Sequence, residues 1–231
     1  MLVSIVIPVF NEEKTILEIL GRVIGADIGN CKKQIIVVND GSTDETPKIL
    51  NQVRKKYNNI LLINHIKNKG KAAALRTGFS YVKGEIIIIQ DADLEYDPSD
   101  YYKLIAPIIN DEADIVFGTR FHFGRPKGMP LIRYICNRFL SFLCRFLHNI
   151  RVSDMETGYK VFSRKVLEKM EIVSNGFDFE PEFTILAAKQ KFRIKEISIN
   201  YKPRSVAHGK KIRLKDGLSA LLTIIKMKFK R

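Results

Sequence analysis

Residues 85–94 read Glu85-Ile86-Ile87-Ile88-Ile89-Gln90-Asp91-Ala92-Asp93-Leu94, an apolar run followed by two carboxylates one residue apart. A short unbroken run of β-branched residues is typical of a buried parallel strand. At its carboxyl end the chain leaves the sheet, and this edge is where open α/β sheets bind ligands. We therefore expect Asp91 and Asp93 to lie at a ligand-binding rim.

Two carboxylates this close repel each other unless a positive group lies between them. A divalent cation meets that need, and carboxylate oxygens favour Mg2+ or Mn2+. A cation held by few protein ligands keeps positions open for substrate phosphates. The alternative is a solvated turn before a helix capped by Asp97-Pro98-Ser99, because acidic residues are common in turns. The pair alone leaves both interpretations open.

Strand-like and helix-like segments alternate through the first half of the chain. The predicted strands are residues 2–7, 34–38, 59–63, 85–90 and 113–117, and the predicted helices begin near residues 11–13, 43–47, 70 and 98. Repeated βα units of this length predict an α/β fold with a parallel sheet and helices on both faces. The regular alternation of predicted strands and helices ends after Gly118. We find no linker, so residues 1–231 are expected to form a single domain.

The net charge of +14 is distributed unevenly along the chain. Residues 1–118 hold 14 Lys and Arg against 16 Asp and Glu, whereas residues 119–231 hold 25 against 9. This asymmetry indicates a polyanionic partner for the second half, such as anionic lipid or a phosphorylated substrate. The absence of a zinc-finger or RNA-binding motif argues against nucleic acid. Three cysteines without metal-ligand spacing, and no basic leader at the start, predict a cytoplasmic protein.

Two apolar, basic stretches in the second half suggest contact with a membrane surface. Residues 131–150 are too charged for a normal membrane span, because Arg133, Arg138 and Arg145 interrupt them. They predict either an interfacial helix or a core helix beneath an arginine-rich face. Residues 214–231 predict an amphipathic helix with a basic end, suited to an anionic membrane.

Polar motifs also follow the first two predicted strands. IPVFNEE (residues 7–13) and VNDGSTD (residues 38–44) are expected at the same sheet edge as Asp91 and Asp93. Asp40 is suited to hold a base N–H or a ribose hydroxyl, whereas Glu13 and Asp44 are interpreted as helix caps. The chain has neither the dinucleotide-binding motif Gly-x-Gly-x-x-Gly nor the P-loop motif Gly-x-x-x-x-Gly-Lys-Ser/Thr. We therefore assign the binding of phosphates to a metal at the acidic pair. NKGKAAA (residues 68–74) is a helix start that adds a weaker phosphate or nucleoside contact.

Further motifs complete a pattern that covers nearly the whole chain. They are QDADLEYDP (residues 90–98), GTR (118–120), DMETGY (154–159) and RSVAHGKK (204–211). Together with the motifs above, this ordered set resembles the family 2 glycosyltransferases of the GT-A fold. The resemblance is greatest to polyprenyl-phosphate sugar transferases of the dolichyl-phosphate mannose synthase type.

The resemblance implies a role for each matching position. Donor binding would involve Pro8, Phe10, Glu12, Val38, Asp40, Asp91, Ala92, Asp93, Arg204 and Lys210. Asp91, Asp93 and Glu95 would hold Mg2+ or Mn2+, although glutamine is expected in mannose synthases where this chain has Glu95. The catalytic set would comprise Asp91, Asp93, Arg120, Arg204 and Lys210. Arg120, Arg133 and Asn137 would meet the acceptor phosphate, although serine is usual where this chain has Asn137.

The implied reaction is metal-dependent, inverting transfer of mannose or glucose from a GDP-mannose or UDP-glucose type donor to dolichyl or undecaprenyl phosphate. A phosphate acceptor is already anionic and needs no general base. If a base is required, the candidates are Asp154, Glu180 and Glu182. The implied location is peripheral, on the cytoplasmic face of a membrane, and a separate membrane subunit is a further implied partner.

Two other functions remain open at this point. The first is a family 2 enzyme with a saccharide acceptor in surface-polysaccharide or glycan synthesis, and the second is a binding module that uses only the basic half. Residues 202–211 predict a loop that stays open without a ligand and closes over bound donor. The alternative for this loop is a basic surface that faces the membrane.

Overall fold

A computed structural model describes residues 1–57, 59–176, 178–204 and 214–229. The strands are β1 (Leu2–Val9), β2 (Lys32–Asn39), β3 (Ile60–Asn64), β4 (Ile86–Ile89), β5 (Ile115–Thr119), β6 (Lys160–Ser163) and β7 (Ile194–Ser198). The helices are α1 (Ile16–Gly25), α2 (Thr46–Lys56), α3 (Lys71–Phe79), α4 (Tyr101–Ile109), α5 (Leu131–His148), α6 (Arg164–Lys169), α7 (Phe179–Lys189) and α8 (Leu214–Phe229).

The strands form one sheet in the order β3-β2-β1-β4-β6-β5-β7. β1 pairs in parallel with β2 and β4, and β2 pairs in parallel with β3. β6 runs antiparallel to its neighbours β4 and β5, while β5 and β7 are parallel. The sheet is therefore mostly parallel and flanked by helices, as predicted.

β4 lies inside the sheet because its side chains offer no polar face to water. All four isoleucines of β4 are at most 1% exposed. Ile87 and Ile89 belong to the core under α3, α5, α7 and α8, whereas Ile86 and Ile88 belong to the core under α1, α2 and α4. Burial of one isoleucine contributes about 1.5–3 kcal/mol. This strand therefore sets where residues 91–93 leave the sheet.

The five predicted strands of the first half are all present. Between the end of α5 and the start of α8 the structure has β6, α6, α7 and β7, none of which was predicted from the sequence. β6 has only four residues and inserts antiparallel between β4 and β5, which no local pattern announces. The first five strands and the later β6 and β7 share one sheet.

α5 has features of both structures predicted for residues 131–150, an interfacial helix and a core helix beneath an arginine-rich face. One side packs on the core through Leu140, Ser141 and Cys144. The other side exposes Ile135, Phe139, Phe142 and Phe146. None of the helices in the described ranges has both the length and the hydropathy of a membrane span.

Candidate active site

A cavity of about 750 Å3 opens at the carboxyl ends of β1, β2 and β4. Because parallel neighbours end at the same edge, the residues that follow these strands meet there. Thirteen residues given a candidate role from the sequence line the cavity: Pro8, Phe10, Glu12, Asp40, Asp91, Ala92, Asp93, Glu95, Arg120, Arg133, Asn137, Glu180 and Arg204. The structure thus brings together side chains from across the length of the chain.

Each carboxylate of the acidic pair lies against a cation of the protein. Lys71 Nζ, at the first position of α3, is 2.7 Å from Asp91 Oδ1 and 2.9 Å from Glu180 Oε1. Burial lowers the pKa of Lys71, but Asp91 and Glu180 outweigh it and raise that pKa well above its ordinary value. Arg204 Nη2 lies 3.2 Å from Asp93 Oδ2. The site therefore balances its acidic charge with Lys71 and Arg204.

Glu95 does not form a cluster of three possible metal ligands with Asp91 and Asp93. Its Oε1 accepts a hydrogen bond from the Arg204 amide at 2.7 Å, and its Oε2 accepts one from the Tyr201 hydroxyl at 3.1 Å. In the described parts of the chain, no three His, Cys, Asp or Glu side chains form a candidate metal centre. Glu95 thus ties the segment after β7 to the acidic loop.

Asp40 organises the loop between β3 and α3. Its Oδ1 contacts His65 Nδ1 at 2.6 Å and accepts a hydrogen bond from the Lys69 amide at 2.9 Å. Its Oδ2 accepts the Gly70 amide at 2.8 Å. Gly70 has φ +97°, a backbone region that favours glycine. Asp40 therefore shapes the cavity wall as well as lining it.

Glu12 connects the loop after β1 to Arg204, in the segment after β7. Its Oε2 accepts a hydrogen bond from the Thr15 hydroxyl at 2.8 Å and lies 2.9 Å from Arg204 Nη1. The interpretation of Asp44 as a cap is confirmed, because its Oδ1 accepts the Thr46 amide at 3.0 Å. The Glu13 carboxylate accepts a hydrogen bond from the Glu45 amide, which lies 32 residues away in the chain, just before α2.

The side chain of Val38 does not lie in the cavity, where the family resemblance placed it. Its side chain is fully buried in the core cluster that contains α3, and it is not among the residues that line the cavity. Side chains alternate between the two faces of a strand. A residue near the end of β2 can therefore belong to the rim motif and still point into the core.

Arg120 forms a buried ion pair with Asp154. Its Nη2 lies 2.7 Å from Asp154 Oδ1, and its Nε and backbone amide both donate to Asp154 Oδ2. Burial lowers the pKa of Arg120, but the Asp154 carboxylate outweighs burial and raises that pKa well above its ordinary value. The guanidinium edge formed by Nε and Nη2 is thus used within the protein.

The sequence also matches a known protein family. A sequence model described as Glycosyl transferase family 2 matches residues 4–171. The chain belongs to this family. It is therefore a glycosyltransferase, as the sequence motifs predicted.

Two relatives align with most of this glycosyltransferase. UDP-N-acetylglucosamine–dolichyl-phosphate N-acetylglucosaminyltransferase of Methanococcus voltae is 32% identical over 98% of this chain and 96% of its own length. Dolichyl-phosphate beta-glucosyltransferase ALG5D of Trichomonas vaginalis is 30% identical over 86% of this chain and 65% of its own length.

A solved structure shows the fold of the glycosyltransferase. Glucosyl-3-phosphoglycerate synthase of Mycobacterium tuberculosis, crystallised with Mn2+, UDP and phosphoglyceric acid, matches with a TM-score of 0.74. The match covers 98% of this chain and 78% of the synthase at 17% identity. The predicted GT-A fold is confirmed.

Gly158 allows the Asp91 carboxylate to take its position. A Cβ on Gly158 would overlap Asp91 Oδ2 and come within 2.9 Å of the Tyr96 ring. Because both neighbours are held in a packed site, the added methyl group would displace the carboxylate. Gly158 belongs to the DMETGY motif of residues 154–159, and no local feature of that motif indicates this contact.

We expect Gly158→Ala to lower sugar transfer by about 100-fold, the effect of misplacing a reacting group by roughly 1 Å. Turnover of a nucleotide sugar with Mn2+ measures the effect, and circular dichroism checks the fold. Gly21→Ala in α1 is the matched control, because nothing lies within 4 Å of the added Cβ. Wild-type turnover in Gly158→Ala would show that Asp91 does not need this position.

Three further charged residues at or below the cavity had no assigned role. Glu156 lines the cavity, and Lys160, fully buried in β6, donates to the carbonyls of Met155 and Thr157. Burial and then Glu180 raise the pKa of Glu156 to about 8, and burial lowers the pKa of Lys160 to about 8. Lys71 was quoted in a helix-start motif, but only its partners reveal its importance.

The base candidates separate into different environments. Asp154 is held by Arg120, and Glu182 accepts the amides of Val173 and Ser174 with its two oxygens. Glu180 contacts Lys71 and also lines the cavity. Asp154 and Glu182 thus stabilise the fold around the site, and Glu180 faces the substrate space.

The α5 end of the cavity carries the cation Arg133. Arg133 and Asn137 line it, together with Ile132, Cys136 and Leu140 of the same helix. Arg133 Nη1 is buried and has no hydrogen-bond partner in the described ranges. Lys210 and the rest of residues 205–213 lie outside the described residues, so the closing-loop prediction can be followed only to Arg204.

Proposed function

We propose that this chain is a metal-dependent inverting glycosyltransferase that moves a hexose from a nucleoside-diphosphate sugar to a polyprenyl phosphate. The observation that carries the proposal is one cavity with an acidic pair at the strand ends and, on α5, Arg133 with its buried Nη1 atom. The two relatives named for transfer to dolichyl phosphate support this acceptor. Residues 1–118 form the nucleotide-sugar-binding half, and residues 119–231 form the basic acceptor and membrane-facing half, from which Arg204 and Lys210 reach the donor.

The acidic pair fits a divalent cation. Asp91 and Asp93 are partly exposed, line the cavity and offer hard oxygen atoms. Two protein ligands leave room for diphosphate oxygens, which suits Mg2+ or Mn2+. The bound cation would stabilise the charge that develops on the leaving diphosphate. Glu95 serves mainly to position the loop, because both of its oxygens contact Tyr201 and Arg204.

The residues divide the reaction between the two ends of the cavity. Pro8, Phe10, Glu12 and Asp40 border the nucleoside, and Arg204 offers positive charge to the diphosphate, with Lys210 as a second cation. Arg133 and Asn137 hold the acceptor phosphate, since a guanidinium matches phosphate oxygens. An acceptor phosphate oxygen bonds to the anomeric carbon as the bond to the nucleoside diphosphate breaks. A one-step displacement inverts the anomeric configuration and requires no general base.

Turnover of a panel of UDP and GDP sugars with Mn2+, with and without polyprenyl phosphate, tests this proposal. We expect transfer to the lipid phosphate from one donor class, and loss of transfer when the metal is chelated. Transfer only to saccharides would instead support a role in polysaccharide or glycan synthesis. If no donor is turned over, the chain is a binding module.

We also propose that the enzyme attaches peripherally to the cytoplasmic face of a membrane, either directly or with a separate membrane subunit. The support is a surface formed by α5 and α8, which pack together. Its exposed apolar residues are Ile135, Phe139, Phe142, Phe146, Leu218, Leu222, Ile225 and Phe229. Exposed cations on the same two helices include Arg138, Arg145, Lys226 and Lys228. Apolar and cationic side chains together match an anionic bilayer surface.

The chain is therefore expected to bind anionic vesicles at low salt and to be released as salt screens the charges. Replacing Phe142 and Phe146 together by serine should weaken binding by about tenfold or more, because each buried phenylalanine contributes about 1.5–3 kcal/mol. Vesicle co-sedimentation measures this. Leu17→Ser is the control, because exposed Leu17 is on α1, across the sheet from α5. No vesicle binding at low salt would contradict direct attachment, and retention after a carbonate wash would indicate insertion.

A further inference from the structure

Unsatisfied polar atoms are concentrated in one place. In the described part of the chain, six buried side-chain atoms have no hydrogen-bond partner. Four of them belong to Arg133, Glu156, Glu180 and Arg204, which all line the cavity. A buried polar group without a partner costs about 1–3 kcal/mol. Such a cluster therefore indicates groups that wait for a ligand.

The two carboxyl groups of this set lie next to the acidic pair. Glu180 is connected to Asp91 through Lys71 Nζ, which contacts both carboxylates. Glu156 is close enough to Glu180 for the two to interact electrostatically, and it lies two residues before Gly158, the glycine packed against Asp91. A sugar bonded to a diphosphate at Asp91 and Asp93 would lie in this part of the cavity.

The chemistry of this corner selects a neutral ligand. Glu180 Oε2 and Glu156 Oε1 are the unpartnered oxygens. A carboxylate oxygen accepts hydrogen bonds, and so does the carbonyl oxygen of the protonated carboxyl group that the raised pKa of Glu156 favours. A second phosphate here would face two acidic side chains, whereas the ring hydroxyls of a sugar donate hydrogen bonds to them. The buried ammonium groups of Lys71 and Lys160 offset the acidic charge. The anionic acceptor belongs at the Arg133 end instead.

We propose that Glu156 and Glu180 hold the hexose of the donor by accepting hydrogen bonds from its ring hydroxyls, and thereby determine which sugar is used. This inference rests on the proposed function, since it assumes a nucleotide sugar in the cavity. It assigns Glu180 to sugar binding and not to proton removal. Both residues touch the substrate.

Glu182 provides an internal contrast on the same helix. Its oxygens accept the amides of Val173 and Ser174 at 3.0 and 2.9 Å, and it does not line the cavity. It is as buried as Glu180. Burial on α7 alone therefore does not leave a carboxylate oxygen without a partner, and Glu182→Gln is the matched control for Glu180→Gln.

The test combines residue changes with changes in the donor. For wild type, Glu156→Gln, Glu180→Gln and Glu182→Gln, calorimetry with Mn2+ measures the affinity of the free nucleoside diphosphate and of the donor that wild type transfers. It also measures analogues in which one ring hydroxyl at a time is replaced by fluorine. Fluorine cannot donate a hydrogen bond, so it removes the proposed contact from the ligand side.

We expect at least one fluorine substitution to weaken binding to wild type by about tenfold or more, the effect of losing a hydrogen bond to a charged group. The same substitution should cost Glu156→Gln or Glu180→Gln clearly less, while Glu182→Gln behaves like wild type. Nucleoside diphosphate affinity should stay within about twofold, as for groups that do not interact.

The possible failures are distinguishable. Equal fluorine effects in wild type and both variants, with normal diphosphate binding, would overturn the sugar assignment alone. A base role for Glu180 would appear as unchanged binding with a lower kcat, and it would also overturn the assignment. If wild type bound no nucleoside diphosphate, the proposed function would fail, and this inference with it.

Discussion

Asp93→Asn is expected to lower metal-dependent sugar transfer by about a hundred- to several-thousand-fold while the fold stays intact, since a charged metal ligand supplies several kcal/mol of transition-state stabilisation. Asp93 Oδ1 accepts the Glu95 amide at 3.1 Å, and asparagine retains an oxygen for that bond. What asparagine lacks is the charge that faces the cation and Arg204. Initial rates over a manganese series, with a thermal melt of each protein, measure the effect.

Asp97→Asn is the matched control for this prediction. Asp97 lies in the same acidic loop, but its Oδ1 caps the short helical turn at Ser99 and it does not line the cavity. Asparagine is as good a cap as aspartate. Wild-type rates are therefore expected for the control. Near-wild-type transfer by Asp93→Asn at saturating manganese would refute the metal assignment.

Asp154→Ala is expected to destabilise the protein by about 3–5 kcal/mol, because it leaves the Arg120 guanidinium buried without its partner. Side-chain exposure is 6% for Arg120 and 0% for Asp154. Chemical denaturation measures the free energy of unfolding. Replacing Arg120 and Asp154 together by apolar residues should cost less than Asp154→Ala alone, since no unpaired charge remains.

The exposed pair of Arg22 and Glu18 on α1 is the control for this experiment. Their side chains are 35% and 52% exposed, and Glu18→Ala should change the stability by no more than about 1 kcal/mol. A similarly small change in Asp154→Ala would mean that Arg120 does not depend on Asp154. Arg120 would then be available for phosphate, as the family resemblance first implied.

Features set by neighbouring residues could be predicted from the sequence, whereas features set by residues far apart in the chain could not. The strand before Asp91 was predictable because burial and β-branching are local properties of residues 86–89. The capping role of Asp44 was predictable for the same reason, since its partner Thr46 is a near neighbour. β6 was not predicted, because its four residues owe their place to β4 and β5 on either side. Val38 was assigned to the pocket because a motif does not say which face of a strand each side chain takes.

The sequence by itself determined the family, the α/β class and the rim position of the acidic pair, because ordered motifs and apolar runs carry that information along the chain. Only the tertiary structure decided which charges are used within the protein and which face the cavity. Arg120 is held by Asp154, Glu182 by backbone amides, and Lys71 joins Asp91 to Glu180. Most of these partners are far apart in sequence, so whether a buried charge is satisfied depends on packing that no local pattern records.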